Sequence, residues 1–316
     1  MKNIADIARL AGVSKSTVSR YLNNGSVSTK TKEKLSKIIK EQDYQPNQFA
    51  QSLRARHTKM IGAIIPRMNS HAVDETIKGV AHVCKELEYQ LLLNYTGLDL
   101  SEEIIALETL SRSKVDGIIL MATRITPQHL DVINKINVPV ILVGQEHSGV
   151  NSIIHDDYLA GSYVGRQIVE ANYKQVYFFG VTEEDKAVGQ QRKNGVLDIL
   201  ALNHIDVQVF KTSFQFMEAK NDVKLHLQSV HTADAIIGAT DTIALAIHSY
   251  CSQPHHKLIP HKIYGFGGDP ITQIVTPQIN TVMYHYFKAG QQALSQLHRL
   301  INHHDAQLLT VIPVEL

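Results

Sequence analysis

From Met60 onward the chain alternates short apolar runs with stretches of helical periodicity, and few architectures accommodate that rhythm. Ile61-Gly62-Ala63-Ile64-Ile65, Leu91-Leu92-Leu93, Gly117-Ile118-Ile119-Leu120-Met121 and Val140-Ile141-Leu142-Val143 are short, and most are rich in β-branched residues. They read as strands of a parallel sheet covered by helices on both faces. The pattern repeats after Ser152, with strands expected at 176–180, 207–210, 235–239, 262–266, 279–283 and 308–312. Two similar halves predict a two-lobed α/β unit over 60–316. One lobe is assigned to about 60–156 and 285–306, the other to about 157–284 and 307–316. Ligands of open α/β sheets bind beyond the carboxyl ends of the strands, so a site is expected where both sets of strand ends meet.

The first sixty residues follow a different logic. The net charge of the whole chain is only +1, yet residues 1–61 hold twelve Lys and Arg against four acids, and the rest 19 against 26. A head of net +8 on an acidic body is the electrostatic footprint of a unit that meets a phosphate backbone, although a solvated Lys-rich surface would look the same by charge alone. Ile4, Ile7, Ala8 and Ala11 fall on one helical face, Gly12 supplies a sharp turn, and Ser14 caps a second helix running to about Leu22. Val18 and Leu22 form the apolar back of that helix. Lys15, Ser16, Thr17 and Arg20 form a short, polar, cationic front suited to the major groove. A third helix, from a Ser28 cap to about Glu41, offers Leu35, Ile38 and Ile39 to a small core. The all-α headpiece thus spans 1–45. Residues 46–59 read either as a plain linker or as a marginal hinge helix that folds on DNA and wedges Leu53 into the minor groove.

The strand ends of the body carry groups that suit a sugar, whose hydroxyls need planar hydrogen-bonding partners and whose C–H face needs an aromatic ring. Candidates are Arg67 and Asn69 after the first strand, Tyr95 after the second, and Asp156 in His155-Asp156-Asp157. Asp241 in Thr240-Asp241-Thr242, Asp269 after Gly267-Gly268, and Tyr284 and Tyr286 after the strand at 279 join them. Arg192 adds a fork-shaped donor for two vicinal hydroxyls or a phosphate.

The segments IADIARLAGVSKSTVSRYLN and YQPNQFAQSLRAR resemble the LacI/GalR family of bacterial repressors, and the resemblance covers the whole chain. It implies a helix-turn-helix head, a periplasmic-binding-protein-like (type I) sensor and no enzymatic activity. By it, Lys15, Ser16 and Arg20 read base edges, Asn47, Ala50 and Leu53 occupy hinge positions, and Arg192 is a sugar clamp. ATDT departs from the family's A-N-D segment at Thr240, and Gly267 stands where a ligand-binding Asp is usual. The head, the hinge, IIPRMNS and ATDT are most similar to sucrose-operon repressors of staphylococcal type. The implied function is repression of a sugar-utilisation operon by a cytoplasmic homodimer on a palindromic operator, relieved when a sugar or sugar phosphate alters the lobes. Sucrose or fructose types lead, trehalose 6-phosphate follows, and a purine effector or a phosphoprotein corepressor are further alternatives.

Other classes find little to rest on. Gly265-Phe266-Gly267-Gly268 lacks the spacing of a dinucleotide loop. The seventeen histidines form no metal motif, His255-His256 and His303-His304 being sequence neighbours. No G-x-S-x-G or H-E-x-x-H segment, cofactor signature or membrane-spanning apolar stretch occurs. Cys84 and Cys251 read as reduced structural thiols.

Overall fold

The computed structural model describes residues 3–22, 25–44, 57–253 and 258–316, and the chain divides into a unit of Met1–Lys59 and one of Met60–Leu316. The small unit holds three helices, α1 (Ile4–Ala11), α2 (Lys15–Leu22) and α3 (Thr29–Glu41). Local chemistry sets their ends. Asn3 accepts from the Ala5 and Asp6 amides while the Asp6 carboxylate takes the Asn3 amide, a reciprocal cap. Gly12 ends α1 at φ 63°, left-handed backbone that favours glycine. The Thr17 amide donates to Ser14 Oγ at 3.2 Å, and the Thr31 amide to Ser28 Oγ at 3.3 Å. Ile7, Ala8, Ala11, Val18 and Leu35 are buried together, with Leu22, Ile38 and Ile39 packed around them.

The large unit contains two six-stranded sheets. The first comprises β1 (Met60–Ile65), β2 (Gln90–Tyr95), β3 (Gly117–Leu120), β4 (Val140–Val143), β5 (Ser152–His155) and β11 (Leu309–Ile312), all parallel, in the order β11-β5-β4-β3-β1-β2. The second comprises β6 (Val176–Gly180), β7 (Val207–Lys211), β8 (Ala235–Gly238), β9 (Lys262–Gly267), β10 (Asn280–Tyr284) and a short antiparallel β12 (Val314–Glu315), in the order β12-β10-β9-β8-β6-β7. Each order reverses once, between β1 and β3 and between β6 and β8, and the crevices of such folds open there. The chain passes between the sheets after β5, after β10 and again after β11.

That last crossing corrects the assignment of 307–316 to the second lobe. Leu309–Ile312 pairs in parallel with Ser152–His155 at the edge of the first sheet, and only Val314–Glu315 joins the second. β5 itself was not among the expected strands. Its apolar content is only Ile153 and Ile154, which gives it no continuous run of the kind that marks the others.

Helices cover both faces. Helix His71–Glu86 packs on helix Tyr286–Ile301 beside the first sheet, and helix Asp157–Glu170 packs on helix Arg192–Leu202 beside the second. Small residues let each pair approach closely. A Cβ placed on Gly290 would lie 2.0 Å from the Thr76 carbonyl oxygen, and one on Gly79 2.0 Å from that of Phe287. Ala at position 290 would gain about 1 kcal/mol of helix propensity, whereas forcing two rigid backbones apart costs about 1–3 kcal/mol. Gly290→Ala is therefore expected to lower the unfolding free energy by up to about 2 kcal/mol, read as a reduced urea midpoint with an unchanged slope.

Candidate functional site

The C-terminal ends of the two sheets face one cleft of about 960 Å³, its open mouth included. Arg67 and Ser70 follow β1, Thr123 follows β3, Gln145 follows β4 and His155 ends β5. From the second sheet come Asp185, Phe214, Asp241 and Asp269, each after a different strand, and Tyr286 after β10.

Arg192 is buried in the cleft wall. A π-helical turn, Lys186–Gln191, precedes it and delivers it to the start of its helix. Its Nε donates to Asp157 Oδ1 at 2.6 Å and its Nη1 to the Ala239 carbonyl at 2.9 Å. The guanidinium lies 4.5 Å from the centre of the Tyr284 ring, whose hydroxyl donates to the same Asp157 oxygen at 2.8 Å. Burial works against the cation, but the Tyr284 and Asp157 oxygens beside it outweigh that penalty and hold its pKa above the usual arginine range. Tyr286 stacks on Tyr284 with ring centres 5.3 Å apart, and His155 meets both rings at 5.1 Å. Burial pushes the His155 imidazole down to about 4, so it is neutral at pH 7.

Two further carboxyls face the cleft. Asp241, at the start of helix Asp241–Cys251, accepts from Thr281 Oγ1 at 2.6 Å and from the Asp269 amide at 2.7 Å. Asp185 accepts from Gln145 Nε2, across the cleft, and from the Val188 amide, both at 2.9 Å. Burial pushes each carboxyl up to about 6, although these donors pull the other way. Arg67 reaches over from the first lobe, its guanidinium 4.5 Å from the Phe214 ring centre and its Nη1 donating to the Phe214 carbonyl at 3.3 Å. Arg124 and Glu184 form an ion pair between the same two lobes.

The expected residues divide. Arg67, Arg192, Asp241, Asp269 and Tyr286 line the cleft, and Tyr284 lies behind Arg192. Three more do not line it. Asn69 is exposed, and Tyr95 is 54% exposed at the end of the edge strand β2. Asp156 turns its carboxylate back to cap the next helix, accepting from the Leu159 amide at 2.9 Å, and its neighbour Asp157 points inward instead. Asp157, Gln145, Asp185 and Phe214 were missed. Only Asp157 carried a sequence signal, its place in His155-Asp156-Asp157. Asp269 lines the cleft two positions after Gly267. Its Oδ1 takes the Ile271 amide at 3.0 Å while its backbone amide holds Asp241. Gly267 has φ 141°, a region that disfavours a side chain, and a Cβ there would stand 3.0 Å from Asp241 Oδ2. Thr240 caps its helix through Ile243 at 3.3 Å.

On the headpiece Lys15, Ser16 and Arg20 are exposed and Thr17 is half-buried, with Ser14 Oγ 2.7 Å from Ser16 Oγ and 2.9 Å from Thr17 Oγ1. Asn47, Ala50, Leu53 and His255-His256 lie outside the described residues. Among the described residues no helix is long and apolar enough to cross a membrane, and no group of His, Cys, Asp and Glu is placed to hold a metal.

Residues 3–47 match the bacterial regulatory proteins of the lacI family, and residues 58–259 match the periplasmic binding proteins and sugar binding domain of the LacI family. The chain is 60% identical over 317 residues to the sucrose operon repressor of Staphylococcus xylosus, covering 100% of this chain and 98% of that protein. It is 27% identical over 303 residues to the HTH-type transcriptional regulator TreR of Salmonella typhimurium, covering 95% and 93%. The solved lac repressor dimer bound to operator and the anti-inducer ONPF superposes with a TM-score of 0.86 at 20% identity, covering 99% of this chain and 97% of that one, a likeness of fold.

Two predictions follow from the buried charges. Asp157→Asn removes the carboxylate that neutralises Arg192, and breaking a buried pair costs about 3–5 kcal/mol. A lower thermal midpoint should accompany a loss of ligand binding. For Asp241, a carboxyl raised from 3.8 to about 6 binds its proton more tightly when folded. Its contribution is therefore full below pH 4 and disappears as the pH rises through about 6. Asp241→Asn should gain stability relative to the parent protein between pH 4 and 7, measured by urea unfolding at several pH values.

Proposed function

The chain belongs to the LacI family of bacterial regulatory proteins, and from that premise we propose that it represses a sugar-utilisation operon by binding a palindromic operator as a homodimer, and that a sugar-type effector in the cleft releases it. The observation that carries the reading is the pairing, in one chain, of an exposed cationic helix in a three-helix head with a two-lobed cleft lined by fixed hydrogen-bonding groups and aromatic rings. Lys15, Ser16, Thr17 and Arg20 take the base-reading role, Arg being suited to a two-point grip on guanine. Asn47, Ala50 and Leu53 serve as the hinge, with Leu53 as its minor-groove wedge. In the cleft, Arg192 and Asp241 bind hydroxyls while Tyr286 offers an aromatic face.

The 60% identity to a sucrose operon repressor supports a sucrose or fructose type of effector and operon. The role is that of a cytoplasmic regulator without catalytic activity. Switching rests on groups that already bridge the lobes: Gln145 with Asp185, Arg67 with Phe214, and Arg124 with Glu184. A ligand that fits one lobe arrangement better than the other shifts the balance only by that difference in affinity, so the effector binds the DNA-free form more tightly.

Gel-shift titration of the full chain on a palindromic operator tests the reading. The effector should weaken binding, and strengthened binding would make it a corepressor instead. Arg20→Ala should cost about 1–3 kcal/mol and relax base preference, whereas Lys34→Ala on α3 should weaken all sequences alike. If Arg20→Ala leaves selectivity unchanged, the assigned reading surface is wrong.

A further inference from the structure

A second pocket lies in the second lobe, toward the opposite end of β10 from the cleft, and shares no lining residue with it. Helix Asp157–Glu170 contributes Tyr163, Val164 and Gln167, β9 contributes Tyr264, and β10 with the turn before it contributes Asn280 and Gln278. Tyr264 and Asn280 are register partners on adjacent parallel strands, so both side chains leave the sheet on one face. The pocket encloses about 580 Å³, its open mouth included, within the roughly 300–1,000 Å³ of small-molecule sites.

Its polar groups are unused by the fold. Tyr264 is only 5% exposed, yet its hydroxyl makes no hydrogen bond among the described residues. The Tyr163 hydroxyl and the Asn280 side-chain amide make none either. Gln278 uses only its Nε2, donating to the Gln273 carbonyl at 2.8 Å, which leaves its Oε1 open. A phenol withdrawn from water without a partner is destabilising until a ligand supplies one.

The lining also has a definite charge character. Among the described residues no ionic side chain borders the pocket. Burial, with Tyr173 and Tyr163 nearby, pushes the Tyr264 phenol up to about 12, so it is neutral at pH 7. Amides and phenols both donate and accept, which matches hydroxyl groups and offers nothing to neutralise an ion.

We propose that this pocket is a second ligand site, separate from the effector cleft, for a small neutral polyhydroxylated molecule of monosaccharide size whose hydroxyls bond Tyr264, Tyr163 and Asn280. Its position ties it to the cleft. Helix Asp157–Glu170 starts with the carboxylate that pairs with Arg192, and β10 ends with Tyr284, whose hydroxyl bonds that same carboxylate. An occupant therefore braces the two elements that supply Arg192 with partners.

The test follows the Tyr264 fluorine resonance of the full chain labelled with fluorotyrosine, assigned by its loss in Tyr264→Phe, during titration with glucose, fructose, mannose and myo-inositol. At least one should shift it saturably below about 10 mM, a range that detects millimolar affinity. Asn280→Ala should weaken that binding about fivefold or more, as loss of one hydrogen bond implies, and a phosphate ester of the same compound should bind about fivefold or more weakly than its parent. Without ligand, Tyr264→Phe should keep the thermal midpoint of the parent protein, because the hydroxyl it removes has no partner. No shift with any of the four compounds would overturn the site, as would a shift of undiminished affinity in Asn280→Ala, which would place the ligand elsewhere. Tighter binding of the phosphate ester would overturn the neutral class, and a clearly lower midpoint for Tyr264→Phe would show that the hydroxyl is already bonded and overturn the premise.

Discussion

The cleft is organised around a buried cation, the guanidinium of Arg192. Taking such a charge out of water is affordable only with a paired carboxylate and further hydrogen bonds, and here those partners come from separate parts of the chain. Asp157 starts the helix that follows the first passage between sheets, Tyr284 ends the strand that precedes the second, and Ala239 follows β8. One charge thereby ties together both passages and the second sheet. His155, neutral and packed against the two tyrosines, closes the same cluster from the first sheet.

Outward from that centre the cleft is polar but not freely solvated. The Asp241 and Asp185 carboxyls each carry two donors yet remain pushed up to about 6 by burial, which marks them as groups whose hydration has been removed without full compensation. A ligand hydroxyl can supply what is missing. The groups joining the lobes are few and lie around the cleft, so the relative placement of the lobes depends on contacts that an occupant would compete for or complete.

How much of this could be read from residues alone depended on whether the deciding force was local. The α1, α2 and α3 helices are delimited by side chains within three or four positions, Asn3 with Asp6, Ser14 with Thr17 and Ser28 with Thr31, and all were legible. So were the long apolar strands. β5 was not, because its burial comes from neighbours on both sides rather than from a run of its own, and Leu309–Ile312 was placed with the wrong sheet because its partner lies over 150 positions away.

Among the site residues, His155-Asp156-Asp157 shows the limit most clearly. Both acids follow the same strand, and either could face a ligand. The turn into the next helix aims one carboxylate at the Leu159 amide and the other at Arg192. Gly267 and Asp269 make the same point, since a positive φ and a 3.0 Å approach to Asp241 disfavour a side chain at the first, and the second lines the cleft while its Oδ1 takes the Ile271 amide. The sequence by itself determined most of the elements, the basic head and the class of residue at most strand ends, because periodicity, capping and charge act over a few positions. Only the tertiary structure decided which of those polar residues share the cleft and which carboxylate pairs with Arg192. Those outcomes depend on distances between strands far apart in the chain.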